Sequence, residues 1–313
     1  MVVEKTSGRA EPAKVAVLMA TFNGEKWIQE QVESILRQEN VHLTLFVSDD
    51  CSVDRTVAIL NEILKRDDRV VLLPTGQKFG SAGKNFYRLL CDVDVGDFDY
   101  IAFADQDDIW LPSKLERHIE LIRQFSYEAV SSNVTAFWEN GKTKLIDKSQ
   151  SLRTFDYLFE AAGPGCTYVM SKRLALLVRV LLKDPASSAQ DVALHDWLSY
   201  AVCRAMGWEW HIEPEPSVLY RQHSANVLGA SSGFWAKVNR FGKLTDGWYR
   251  TQVRTVLQVC NFLIKDPDYV RIARALHSSS YFERLCLIKY LSSFRRKLSD
   301  RLSLGLAICF GIF

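Results

Sequence analysis

The sequence predicts an α/β fold with a mostly parallel central sheet, and three observations carry that expectation. Apolar runs alternate with segments of helical period at the rhythm of βαβ units. The first run, VAVLMA at 15–20, is continuous rather than alternating, as in a strand buried on both faces. Three runs end in polar clusters, Thr21–Asn23, Ser48–Asp50 and Asp105–Asp108, and parallel sheets bind ligands at the carboxyl ends of their strands. With 313 residues, 48 % hydrophobic and 24 % charged, the chain can form a large core.

Taken in order, Val15–Ala20 is the first strand, and Thr21-Phe22-Asn23-Gly24 breaks it. Trp27, Val32, Ile35 and Leu36 then recur at helical spacing as far as Gln38. Leu43–Val47 is the second strand. Ser52 follows it, placed to cap a helix bearing Val57, Leu60, Ile63 and Leu64. Val70–Leu73 is the third strand, and a loop with Gly76, Gly80 and Gly83 leads to a helix from Lys84 to Cys91. Tyr100–Ala104 is the fourth strand, and Pro112 opens a helix through Phe125. Ala129–Trp138 and Lys142–Ile146 flank Asn140-Gly141, a hairpin signal. Gly163-Pro164-Gly165 is a tight loop before a strand at Cys166–Met170 and a helix from Lys172 to Leu182. A further helix begins at Asp191 or His195 and runs to Met206, before short strands at Trp208–Ile212 and Val218–Arg221. Past Ser224 the predicted helices are basic: Phe234–Phe241, Gly247–Leu263 and Tyr281–Leu302.

Charge is unevenly spread. Net charge is +2, yet from Trp235 onward fourteen Lys/Arg face five Asp/Glu, a local +9. An acidic body suggests a cation-dependent site, and a basic tail suggests an anionic surface. The seven cysteines have no paired spacing, which reads as reduced thiols in a cytoplasmic protein. Met1–Lys14 is polar, without the apolar core of a signal peptide, and reads as a loose leader. No run reaches the roughly 18–20 apolar residues of a membrane span, and the terminal LSLGLAICFGIF is too short. There is no GxGxxG after the first strand, no phosphate-binding GxxxxGK[ST], no GxSxG, and no nucleic-acid motif in the tail.

Four clusters carry chemistry, each with a plainer competitor. Asp105-Gln106-Asp107 at a strand end would put two carboxylates on one side if the extended geometry continues. Such a pair suits Mg²⁺ or Mn²⁺ gripping a phosphate. The competitor is a solvated turn with Asp108 capping the Pro112 helix. In Ser48-Asp49-Asp50-Cys51-Ser52 a carboxylate can accept from a pyrimidine ring N–H, or simply sit at the positive end of a helix. Asp196, in His195-Asp196-Trp197, is a helix cap or a general base for an attacking hydroxyl. In Tyr220-Arg221-Gln222-His223 the imidazole suits a metal and Arg221 a phosphate, although a lone His after a strand is more often a surface residue.

VAVLMATFNGEKWIQEQVESILRQ, LFVSDDCSVDRT and FADQDDIWLPSKL together resemble glycosyltransferase family 2, with its GT-A nucleotide-sugar-binding fold. ADQDDIWLP, HDWLSYAV and YRQHSANVLG resemble its bacterial rhamnosyltransferase branch. The likeness covers about Lys14 to Gly229, which implies a leader at 1–13, a GT-A catalytic domain at 14–230 and a helical region at 231–313. It implies an inverting, metal-dependent transfer from a dTDP- or UDP-linked donor, dTDP-L-rhamnose first, to a glycan or polyprenyl-diphosphate-linked acceptor in cell-surface polysaccharide synthesis. Carried over, Thr21 and Asn23 lie near the nucleotide, and Asp50 beside Asp49 binds the base. Asp105, Gln106 and Asp107 form the metal-diphosphate motif, and Gly163 and Gly165 line donor sugar and acceptor. Asp196 is the base, His223 a metal ligand, and Lys84 and Asn85 donor-site candidates; Arg221 stands beside them as a donor-binding candidate on its own chemistry. The family more often has Glu where this chain has His195. The basic tail would pack on the catalytic domain or dock peripherally on the inner face of the cytoplasmic membrane. Competing functions are a sugar-phosphate nucleotidyltransferase and a non-catalytic nucleotide-sugar or glycan-binding protein.

Overall fold

The computed structural model describes residues 11–223, 247–261, 263–264 and 266–313. A seven-stranded sheet forms its centre. In chain order its strands are β1 (Ala13–Thr21), β2 (Val41–Asp49), β3 (Val70–Leu72), β4 (Tyr100–Ala104), β6 (Ala129–Ser132), β9 (Val169–Ser171) and β10 (Trp210–Glu213), and in space they run β10-β6-β9-β4-β1-β2-β3. All neighbours are parallel except β9, which runs antiparallel to β4 and β6. β1 is central and buried along nearly its whole length, as its unbroken apolar run requires. A smaller sheet, β5 (Ile109–Trp110), β11 (Val218–Arg221), β7 (Val134–Phe137) and β8 (Thr143–Ile146), stands beside it.

Helices α1 (Ile28–Leu36), α2 (Thr56–Leu64), α3 (Ala82–Asp92), α4 (Lys114–Phe125), α5 (Lys172–Lys183) and α6 (His195–Ala205) cover the sheet faces. Two cores result. One holds Val15, Val17, Met19, Val32, Leu45 and Leu115. The other begins with Leu18, Phe86, Phe103 and Tyr168 and continues without a break into the C-terminal helices. Those are α7 (Trp248–Cys260), α8 (Pro267–His277), α9 (Tyr281–Leu285), α10 (Leu291–Phe294) and α11 (Leu298–Cys309). Phe159 stacks on Phe294 at 4.1 Å, and the Arg296 guanidinium meets the fully buried Asp156 at 3.2 Å. The C-terminal layer therefore packs on the α/β body.

Several expectations change. Ser52 does not cap α2. Its hydroxyl donates to Asp49, and Asp54 accepts from the Thr56 N–H instead. The expected strand 129–138 is two strands in two sheets. They divide at Asn133, whose side chain donates to the Pro214 carbonyl and accepts from the Lys148 and Ser149 N–H groups. The strand after the glycine loop starts only at Val169, because residues 165–167 close a 3₁₀ turn. Tyr281–Leu302 is not one helix: Arg295 is extended, and the chain restarts at Leu298. The helix Pro267–His277 was not foreseen, although Asp266 caps it and Pro267 occupies its first turn. The leader at 1–10 and the helix Phe234–Phe241 lie outside the described residues.

Candidate active site

Parallel strands deliver their following loops to one edge. β1, β2 and β4 end there at Thr21, Asp49 and Ala104; Thr21 is opposite Asp49, and Ala104 opposite Met19. Extended geometry stops at Ala104, and residues 106–107 bend, so the two carboxylates of the acidic motif do not lie side by side as an extended strand would place them. Asp107 faces outward to His223, with 2.7 Å from its Oδ2 to Nε2. Trp27, in the loop after β1, stacks on that imidazole at 4.0 Å and holds its plane. Asp105, directly after β4 and half-buried, forms a lower group with Asp108 and the Cys166 thiol, their atoms within 4.8 Å of one another.

In that lower group Asp108 and Cys166 are buried and Asp105 half-buried, and positive charge is scarce. Burial, then the neighbouring Asp107 and Asp196, pushes the Asp105 carboxyl up to about 7. Burial followed by Asp107 and Asp105 also raises Asp108. Asp108 does not cap the next helix; it accepts from the Arg221 N–H across the sheets. The nearest compensation is Lys114, fully buried on α4, with its Nζ 2.6 Å from the Cys166 carbonyl and 3.0 Å from the centre of the Trp110 ring. Its charge lowers Asp105, yet burial itself drives the lysine well below its ordinary range. The sequence reading passed over Lys114, and nothing in SKL announces a buried cation.

Asp107 and His223 meet each other through a carboxylate oxygen and an imidazole nitrogen 2.7 Å apart, and this oxygen-and-nitrogen pair has the donor chemistry that Mg²⁺ or Mn²⁺ accepts. Asp105, Asp108 and Cys166 fit a hard ion less well. The thiol is pushed up by burial and the two carboxyls, so it is protonated, and it hydrogen-bonds those carboxylates. The front pair fits; the lower group supports it.

Asp196 is the second focus. It stands in the first turn of α6, where its Oδ1 accepts from the Trp197 N–H at 2.7 Å. Burial raises its carboxyl to about 6 against that hydrogen bond and the Lys148 charge. Gly165 lies directly against it. A Cβ there would sit 2.8 Å from His195 Nε2 and 3.1 Å from Asp196 Cβ, so only glycine permits this approach. Gly163 holds φ +104°, beside Lys148. His195 packs flat on Phe86 at 3.7 Å, and burial depresses its pKa to about 3, leaving a neutral ring. Lys148, also absent from the sequence reading, is lowered by burial to about 8.

The remaining expected residues divide. Asp50 receives the Phe79 and Gly80 N–H groups from the loop before α3. Asn23 has φ 50° and Cys51 φ 60°, and both lie in these strand-end loops, as strained backbone at functional edges often does. Thr21, Asp49 and Asn85 are tied to one another's strands: Thr21 donates to Asp49, and Asn85 Nδ2 donates to the Ser48 carbonyl. Gln106 clamps Phe22 by giving and taking one backbone hydrogen bond. Arg221 spans the Asp107 carbonyl and Glu30, stacked over Phe137. Lys84 is exposed, in the first turn of α3. The structure therefore brings Asp105, Asp107, His223, Gly165 and Asp196 to one edge, with Asp105 feeling both neighbouring carboxylates. Thr21, Asp49, Asn85 and Gln106 act as ties between loops.

The profile of Glycosyl transferase family 2 matches residues 16–181. The chain is 40 % identical over 296 residues to dTDP-rhamnosyl transferase RfbG of Shigella flexneri, covering 94 % of this chain and 100 % of that one. The crystal structure of S. aureus TarS with UDP-GlcNAc superposes with TM-score 0.58 at 15 % identity, over 89 % of this chain and 79 % of that one. The mannosyltransferase PcManGT from Pyrobaculum calidifontis, with GDP-Man and Mn²⁺, gives TM-score 0.52 at 14 % identity, over 96 % and 81 %. At such identities the two structures bear on fold alone, and the fold is GT-A-like.

Proposed function

The chain belongs to glycosyl transferase family 2 and is a glycosyltransferase; from that premise we propose that it moves L-rhamnose from dTDP-L-rhamnose, with inversion, to a hydroxyl of a glycan or lipid-linked acceptor during cell-surface polysaccharide synthesis. Likeness over the whole length of a dTDP-rhamnosyl transferase supports the donor. The observation that carries the mechanism is the convergence of Asp107–His223 and Asp196 on one sheet edge, on either side of Asp105.

Asp196 takes the proton of the acceptor hydroxyl. One of its oxygens is held by the Trp197 N–H, which leaves the other for the acceptor. The freed oxygen attacks the anomeric carbon, the bond from that carbon to the diphosphate oxygen breaks, and dTDP leaves with the electron pair. A carboxyl raised to about 6 is ionised at neutral pH yet basic enough to help, the balance general-base catalysis favours. The bare backbone of Gly165 lets the glycine loop pack directly against His195 and Asp196 and fixes the start of α6, and reacting groups held ~3–3.5 Å apart react as if joined in one molecule. Trp27 and Arg221 keep His223 and Asp107 in place. A Mg²⁺ or Mn²⁺ ion held by Asp107 and His223 would neutralise the departing diphosphate. Asp50, close to the loop at 79–80, would accept from the thymine ring N–H after that loop shifts.

The test is dTDP release measured across a panel of dTDP- and UDP-sugars, with and without divalent metal. dTDP-L-rhamnose should turn over fastest and need metal. Preference for a UDP-hexose would reject the donor. Equal rates in chelator would reject the metal.

A further inference from the structure

The last helix has an unusual outer surface. On α11 the face against the core carries Leu304, Gly305, Ala307 and Ile308. The opposite face meets water with Leu298, Ser299, Leu302, Ser303, Leu306, Cys309 and Phe310, and holds no charged residue. Leu298 is 63 % exposed, Leu302 62 %, Leu306 59 % and Phe310 75 %. A continuous exposed apolar strip marks an interaction surface. α9 extends the strip. Its Tyr281 hydroxyl donates to the Cys309 carbonyl, and the next residue, Phe282, is 79 % exposed.

A second observation is independent of the first. Arg250 and Arg254, one turn apart on α7, stand close enough to Arg284 on α9 for their charges to repel. Among the described residues no carboxylate forms an ion pair with any of the three. Among the described residues Arg254 donates to the Leu276 carbonyl. Elsewhere in the same layer Arg295 and Arg296 are paired with Asp300, Glu160 and Asp156.

We propose that the outer face of α11, with Phe282 and the Arg250–Arg254–Arg284 cluster beside it, docks on a bilayer containing anionic lipid. The apolar side chains enter the acyl boundary and the guanidiniums bind headgroup phosphates, as amphipathic helices on membrane surfaces do. No helix among the described residues is long and apolar enough to cross a membrane, so the chain lies on the surface. Charge selects the bilayer over a second copy of this chain, since a two-fold contact repeats the same patch on both sides and would set the arginines against themselves. The inference does not depend on which sugar is transferred.

The experiment is vesicle flotation of the full chain, with phosphatidylcholine alone and with added phosphatidylglycerol. Wild type should float with the anionic vesicles and bind phosphatidylcholine about tenfold less, a step expected from losing headgroup charge. Leu302→Ser with Leu306→Ser should release it from both. These positions face solvent, so the variant folds, and its dTDP release with a water-soluble acceptor should match wild type. Arg250→Gln with Arg284→Gln should abolish the preference for anionic lipid while leaving that turnover unchanged. Absence of flotation by wild type, or equal flotation by all three proteins, overturns the proposal. So does a dimer in sedimentation velocity that Leu302→Ser with Leu306→Ser dissolves, since the strip would then be a self-contact.

Discussion

Two groups of carboxylates in this molecule are built in opposite ways. Asp156, fully buried under the C-terminal layer, has its oxygens taken up by Arg204, Arg296, Tyr200 and the Arg153 N–H. Asp105 and Asp108, at the sheet edge, have one lysine nearby, itself spent on a carbonyl, and both carboxyls are raised. A carboxylate wrapped in guanidinium is finished structure. A carboxylate left short of positive charge beside an open edge is set for a ligand that brings the charge with it.

Substitutions separate the two. The largest catalytic effect should come from Asp196→Asn, with kcat for dTDP-L-rhamnose falling on the order of 10²–10⁴-fold, the range of a lost general base, and thermal stability unchanged or raised. Asp107→Asn should follow, costing several kcal/mol of transition-state stabilisation, and calorimetry should show loss of Mn²⁺ binding. Asp156→Asn should do the reverse. It should lower unfolding free energy by about 3–5 kcal/mol, the cost of stranding buried cations, read as a fall in the urea midpoint. Metal affinity should hold in the folded fraction. Comparable loss of stability from Asp107→Asn would erase the distinction.

A smaller effect is read by pH. Burial lifts Asp196 above the ordinary carboxyl value of 3.8 to about 6. The native state then holds more protons than the unfolded state between those values. This group's contribution to stability is complete below about 4 and is lost as pH rises through about 6, while kcat/KM rises across the same limb. Lys148→Met removes a charge that lowers Asp196, so the limb should move to higher pH. An unmoved limb would detach Lys148 from the base.

Much of the site was legible because its residues lie where strands end. VAVLMA and YIAFA mark buried strands, and TFN, SDD and DQDD mark the edge to which a parallel sheet must deliver them. Roles within the edge were less legible. Thr21, Asp49, Asn85 and Gln106 carry the right chemistry for a donor but spend it joining loops, and one-dimensional spacing does not separate a tie from a ligand. Lys114 and Lys148 escaped notice because a lysine's burial is set by what packs over it from β5, β9 and the glycine loop, not by its neighbours in sequence. The break at Asn133 turned on contacts with residues 148 and 214, far along the chain.

Trp197 follows Asp196 directly, donates its indole N–H to the Tyr157 carbonyl and stacks 6.0 Å from Tyr249 in the helical layer. The Asp196 carboxylate is thereby braced by a segment more than fifty positions downstream. Chimeras between this enzyme and its relatives should respect that brace: a crossover placed between 197 and 249 would pair a tryptophan with a foreign tyrosine face and misalign the proton acceptor. Crossovers in the surface loop at 74–80, upstream of both, leave it whole.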